Sequence, residues 1–449
     1  MSAVQRAPAQ PLEPGDITGK LCAMPLSAAP RGWWIALGCA LSLSGIFVVA
    51  VVKLLRDGVG IWGIDIPVGW GFAIANYIWW IGIGMAGTFI SAALHLTRQA
   101  WRSSLSRYAE AMTVFAVTVS GVFPILHLGR PWFFYWLAPY PNVMNVWPQW
   151  RSSLLWDFFA ILAYLIVSIL YWYLGLIPDL ATLRDRATGH GRRMFYGLLA
   201  LGWRGDAGQW QRHEALTRVL AGLAVPLVFS VHSMVAVDLS EGLLPGWHST
   251  IFPPFFVAGA LYSGFAMALV LGLPMRAWLG LQAFITAEHL EKLSRILLAV
   301  GLFVAYSYAV ELLMPLYSRD RYELDNLRFR MGGEYAGIYW GMLLLNVLPI
   351  QALWWRGVRT SPYALFGIGL CVVLGMWLER YMLIVTSLYQ DFLPSSWGRY
   401  VPTRWDWMTL FGSIGVFATL FLLFLRLLPA VSMAEMRALL ARSTVEAKP

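Results

Sequence analysis

An imidazole and a carboxylate bracket the most distinctive stretch of this sequence. His127 closes one apolar run. Gly129, Arg130 and Pro131 stop it, and an aromatic, proline-rich loop continues to Arg151. Asp157 then falls within a turn or two of the start of the next apolar run. Imidazole exchanges a proton near neutral pH. A neighbouring carboxylate can receive that proton, or orient the ring by accepting its other N–H. The two together can act as a proton-accepting unit. Each alone has a plainer role: His127 can cap its helix, and an acid in the first turns of a helix suits the helix dipole. As a pair at depth in apolar surroundings, where ionisable groups are costly and mark function, they favour chemistry.

Other ionisable residues lie in apolar runs. Asp238 ends the run SVHSMVAVDLS, which also holds His232; Glu311 is near the end of another; Glu379 and Arg380 sit close to the middle of a third. His95 and Glu110 lie towards the opposite ends of theirs. A lone guanidinium in lipid needs an anion. Glu379 is the chain neighbour of Arg380, but consecutive residues on a helix do not face each other. Asp238 is therefore the expected partner. These residues outline a proton path from the His127–Asp157 pocket outward by way of Asp238, Arg380 and Glu311, with Glu379 and His232 beside it. A structural ion pair for Arg380 and a hydrogen-bonded core histidine at His232 are the alternative readings.

The elements that must position these groups follow from composition. The 449 residues are 59% hydrophobic and 13% charged, with a mean hydropathy of +0.61. Half the usual charged share of about 25% cannot clothe a water-soluble globule. The chain reads as an all-α polytopic membrane protein. About 20 apolar residues cross a bilayer core. That rule gives ten spans, near 33–53, 68–96, 108–127, 153–177, 214–237, 254–274, 293–317, 335–355, 362–389 and 407–428. Span two carries Gly82, Gly84 and Gly87, which let another helix approach closely.

Charge sets the expected orientation. With both termini cytoplasmic, Lys and Arg number 22 in cytoplasmic segments and 10 in outer ones, leaving Arg380 inside a span. Cytoplasmic loops collect basic residues, which accounts for the net charge of +9 without nucleic acid. The expected setting is the bacterial inner (cytoplasmic) membrane, crossed many times. The basic loop 178–213 is then cytoplasmic, its FYGLLALGW segment lying on the membrane surface. The loops 129–151, 318–334 and 391–405 are outer and rich in Trp, Tyr and Pro. They form either a docking face or an interfacial aromatic belt. Residues 1–31 read as a disordered cytoplasmic tail.

Several chemistries find no residues to carry them. Cys22, Cys39 and Cys371 are dispersed, too few for a four-thiolate cluster and unlike a zinc site. The histidines do not pair at matched depth for a haem. No phosphate loop, CxxCH or HExxH occurs. The expectation is a chain with no haem, iron–sulfur cluster or metal of its own. Electrons, if it handles them, leave through a partner.

The motifs HLGRPW, PYPN, WPQWRSSLLWD, LIPDLATLRD, MFYGLLALGWRG, VHSMVAVDLS, PGWHSTIFPPFFVAGA and DFLPSSW resemble the NrfD/PsrC-like membrane subunits of the polysulfide reductase type. They are most similar to the quinol-interacting membrane subunits of bacterial alternative complex III. The resemblance covers most of residues 30–435. It implies two four-helix bundles, spans two to five and six to nine, with spans one and ten outside. The chain then divides into 1–31, 32–238 with the first bundle, 239–390 with the second, and 391–449 with the tenth span and a tail. It implies a menaquinol or ubiquinol site near the outer face, with His127 and Asp157 on its motifs and Asp238 and Arg380 at proton-transfer positions. It implies as partners a periplasmic iron–sulfur/molybdopterin-like subunit, a homologous NrfD-like membrane subunit and cytochrome c subunits. The chain would be one subunit of a quinol oxidoreductase, inactive alone, and proton translocation goes with that assembly. One departure is SSLLWD where SPLLWD is expected. A structural sister subunit without a quinol site, and a secondary transporter or proton channel, are the competing functions.

Overall fold

Hydrocarbon removes water as a hydrogen-bond partner, so a chain this apolar must satisfy its backbone within helices. The computed structural model describes residues 14–138, 147 and 149–446. Ten helices in it are long and apolar enough to cross a membrane. They are Arg31–Asp57, Phe72–Leu96, Ser106–His127, Ser153–Arg186, Ala207–Ser240, Phe252–Trp278, Ala287–Ser318, Ala336–Trp354, Pro362–Tyr389 and Arg404–Leu427. They match the ten expected spans in order, and no strand occurs among the described residues. The PYPN motif lies outside the described residues.

Spans two to five pack around one another, and so do spans six to nine. The two groups meet chiefly through span two against span six, with span five also on span six and span nine on span two. Spans one and ten pair with each other, and span ten lies against spans three and two. Span two is thus surrounded, and every residue from Phe72 to Thr88 is buried. Its glycines make that possible. A Cβ on Gly264 of span six would stand 2.6 Å from the Ala86 side chain and 2.7 Å from the Ile83 carbonyl. Gly84 lets Thr113 Oγ1 of span three donate to its carbonyl at 2.7 Å.

Helix ends follow local chemistry. Asp206 caps span five, its carboxylate accepting from Gln209 N at 2.9 Å. Thr403 and Asp406 form a reciprocal capping box at the start of span ten. Hydropathy alone ends span four near Leu176–Ile177, before Pro178, yet the helix runs on to Arg186. Proline removes the N–H that would bond the carbonyl four residues earlier. His213 Nε2 lies 3.0 Å from that carbonyl, Leu174 O, and takes up the freed acceptor.

The amino-terminal tail departs from expectation. Pro14–Leu26 is a helix, with Ile17, Leu21 and Cys22 buried. It packs on the carboxy-terminal helix Met433–Glu446, where Arg437 Nε donates to Thr18 at 3.0 Å. Its last carbonyls accept from Arg426, at Met24 and Ser27, and from Arg192, at Leu26. Cations suit the carboxyl end of a helix. A short helix held by a partner four hundred residues away leaves no local hydropathy signal.

The close approach of spans two and six gives a direct test. Replacing Gly264 by Val overfills that crossing and should destabilise the protein by about 1–3 kcal/mol. Gly38→Val on span one, where a side chain meets nothing within 4 Å, should leave the thermal unfolding midpoint in detergent unchanged. Equal midpoints for the two variants would refute the packing described.

Candidate functional site

The connectivity of the spans puts His127, the start of span four and the end of span five at one end of the first bundle. Asp157 is the fifth residue of span four and only 6% exposed. Its Oδ2 accepts from the Tyr77 hydroxyl of span two at 2.8 Å. Tyr77 is fixed in turn, because Ser120 Oγ of span three donates to its carbonyl at 2.9 Å. The Asp157 carboxyl also lies within hydrogen-bonding reach of the Asp238 carboxyl at the end of span five. Ser153, at the first turn of span four, neighbours the Asp238 carboxyl. That serine stands where the resembling motif has proline, so the departure supplies a polar contact that proline lacks. Oδ1 of Asp157 and Oδ1 of Asp238 are both buried without a conventional partner. Neighbouring carboxyl groups disfavour carrying charge together.

His127 takes a different place from the one expected. Among the described residues no hydrogen bond joins it to Asp157. Its ring stacks instead with Trp62, from the turn Val59–Trp62 between spans one and two. Its Nδ1 is buried and unpartnered. The expected imidazole–carboxylate pair is therefore replaced by a carboxyl pair with a tyrosine, and by an imidazole–indole pair, at one end of the bundle.

Arg380 also has another partner than Asp238. It lies 3.1 Å from the Glu379 carboxylate, its own chain neighbour. Adjacent helical side chains diverge from Cβ, but two long flexible stems can fold back where packing confines them. Confinement is visible here. The guanidinium lies over the Phe256 ring, 4.0 Å from the centroid, and Gly259 admits it, since a Cβ there would stand 2.7 Å from Nη2. Glu379 accepts from the Tyr308 hydroxyl, which itself accepts from Asn346 Nδ2 at 2.8 Å. This cluster belongs to the second bundle and is fully buried.

Glu311, half-buried on span seven, faces Arg330 of the short helix Arg321–Gly332. Arg330 donates to Thr386 and Ser387, both at 2.8 Å. His232 has both ring nitrogens against backbone carbonyls, Val228 O at 2.9 Å and Ile81 O at 3.2 Å. That arrangement ties span five to span two. Tyr77 and Trp62 escaped sequence reasoning. Aromatics near span ends read as an interfacial belt, and nothing in local pattern distinguishes these two. Among the described residues no group of three metal-ligating side chains occurs.

The family model described as Polysulphide reductase, NrfD matches residues 64–390. The chain belongs to the NrfD family. A selenate reductase subunit of Mesobacillus selenatarsenatis is 25% identical over 418 residues, covering 86% of this chain and 92% of that protein. A proposed dimethyl sulfoxide reductase membrane subunit of Halobacterium salinarum is 24% identical over 422 residues, covering 89% of this chain and 91% of that protein.

At the other end of this NrfD bundle the charges are closed rather than open. Arg107 donates to Asp179 at 3.1 Å and to Glu110 at 3.4 Å. Asp179 also accepts from Met433 N and Ala434 N at the start of the carboxy-terminal helix. Glu435 of that helix pairs with Arg102 at 2.9 Å. Burial raises the Glu435 pKa, but the Arg102 and Arg107 guanidiniums outweigh it and hold the carboxyl below its usual 4.5. A depressed folded pKa stabilises docking above the unfolded value and is lost as pH falls through the lowered one. Hydrogen exchange of residues 433–446 should therefore stay protected from about pH 8 to about pH 5 and loosen only in stronger acid. Loss of protection already near pH 6 would contradict this assignment.

Proposed function

We propose that this chain is the quinol-oxidising membrane subunit of a bacterial electron-transfer complex. The observation that carries the reading is the Tyr77–Asp157–Asp238 group. It is a carboxyl pair inside a helix bundle of the NrfD family, with buried oxygens left unsatisfied by protein. Quinol becomes quinone by losing two electrons and two protons. As electrons leave, its hydroxyls become far more acidic, and a base nearby must take the protons.

In this proposal the quinol head lies at the His127 end of the first bundle and its tail runs between helices into lipid. Asp157 accepts one proton, with Tyr77 fixing the carboxyl and Asp238 sharing the charge. His127 accepts the other. Electrons pass to an iron–sulfur centre in a protein docked on the same face. The excess of Lys and Arg on the opposite face supports placing that docking face outside, in the periplasm, with both termini cytoplasmic. Protons then leave outward past Asp238. Arg380, Glu379 and Glu311 belong to a second polar track in the other bundle.

Two assemblies share this chemistry. The motif resemblance supports alternative complex III, with a homologous membrane subunit and cytochrome c subunits. The names of the two relatives support a terminal reductase, in which quinol electrons reach an oxyanion or sulfoxide. Co-purification separates them: cytochrome c subunits and a second NrfD-like chain mark the first, a catalytic reductase subunit alone the second.

Asp157→Asn tests the chemical step. It keeps the shape and the Tyr77 contact but cannot accept the proton. Quinol oxidation by the assembled complex should fall by about 100-fold or more, while a quinone analogue still binds. Wild-type turnover would remove Asp157 from the mechanism.

A further inference from the structure

Trp62 is 1% exposed, yet its indole Nε1 has no hydrogen-bond partner. Its ring is nearly parallel to the His127 imidazole, with planes 9° apart and centroids 6.1 Å apart. His127 Nδ1 is likewise buried and unpartnered. Buried polar groups without partners are costly and rare in native proteins, and each asks for an explanation. Two in one stacked pair ask for a common one.

The turn that carries Trp62 is held on both sides. Ile61 O accepts from Thr403 Oγ1 of the span-ten capping box at 2.6 Å. Gly63 adopts φ +66° and packs against the Val401 carbonyl, a position that leaves no room for a side chain. Val59 packs on Gly129, two residues past His127, where a Cβ would stand 3.5 Å away. An indole fixed in this way cannot turn outward to find water.

We infer that Trp62 binds the head group of the quinol substrate, its N–H donating to the same oxygen that His127 Nδ1 contacts. The inference rests on the quinol reading above and deepens it. Indole N–H only donates, so it seeks an oxygen lone pair, which both redox forms of the head group offer. His127 Nδ1 can accept from a quinol hydroxyl or, once protonated, donate to a quinone carbonyl. One oxygen is then gripped by a fixed donor and by a titratable group. In the reaction that O–H bond breaks and its proton moves to His127 Nδ1. The second hydroxyl proton goes to Asp157, and two electrons leave to the docked iron–sulfur protein. The Trp62 N–H bond stays intact throughout.

The test uses the assembled complex and a short-tail quinone carrying 13C at its carbonyls. Bound to wild type, one carbonyl stretch should shift down in the infrared. In Trp62→Phe that shift should shrink and the analogue should bind roughly tenfold more weakly. Trp62→His, which restores an N–H, should recover part of both. Should Trp62→Phe not assemble, an azidoquinone photolysed in the wild-type complex should label the peptide holding Trp62. Unchanged affinity and carbonyl frequency in Trp62→Phe, or labelling confined to other segments, would overturn the inference and leave the quinol reading intact. A wild-type complex that binds no quinone would overturn the quinol reading itself.

Discussion

Inside hydrocarbon a charge persists only beside something that answers it. The two bundles meet that constraint in different ways. In the second, Glu379 and Arg380 neutralise each other, Tyr308 and Asn346 hold the carboxylate, and phenylalanine rings cover the guanidinium. Breaking such a buried pair leaves an uncompensated charge, so the cluster is locked. In the first bundle the answer to Asp157 is another acid. A carboxyl pair stays neutral enough for its surroundings only by holding a proton. It therefore changes state when a proton arrives or leaves, and the ion pair does not.

Helix packing decides whether these groups can meet at all. Asp157, Asp238 and Tyr77 come from three spans, and their contact requires those spans to converge at one end. Small residues permit close packing around span two, since its Gly84 and Gly87 seat span three while Gly264 of span six lets that span approach it. Without a hydrophobic drive between helices in lipid, close van der Waals contact and interhelical hydrogen bonds supply the association. The site is thus a consequence of the same glycines that hold the bundles together.

Hydropathy made the ten spans legible, because hydrocarbon thickness imposes a length that the sequence must meet. It also placed His127, Asp157 and Asp238 at one end. It could not assign partners. The expectation that Arg380 seeks Asp238 came from sound charge logic, but i,i+1 neighbours do pair when packing folds both side chains onto one wall. Pairing two acids runs against that logic altogether, which is why the Asp157–Asp238 contact was invisible. Tyr77 and Trp62 were invisible for another reason. Their role lies in where a polar tip points, and periodicity reports only which face a residue occupies. The helix Pro14–Leu26 was missed because its partner is at the other end of the chain.

The two ends of the first bundle differ in how their charges are answered. At the Arg107 end Arg107 pairs with Asp179 and Arg102 with Glu435, and the carboxy-terminal helix lays its own amino-terminal N–H groups onto that network. At the His127 end the polar atoms of Trp62, His127, Asp157 and Asp238 lie buried but unanswered by protein. Native folds tolerate such atoms where a ligand completes them. Ser153 sharpens the contrast. Proline at that position would stiffen the start of span four and offer Asp238 no polar group, whereas serine sets a hydroxyl near that carboxyl. The chain gives up some rigidity at the start of span four and sets a polar side chain beside the carboxyl pair.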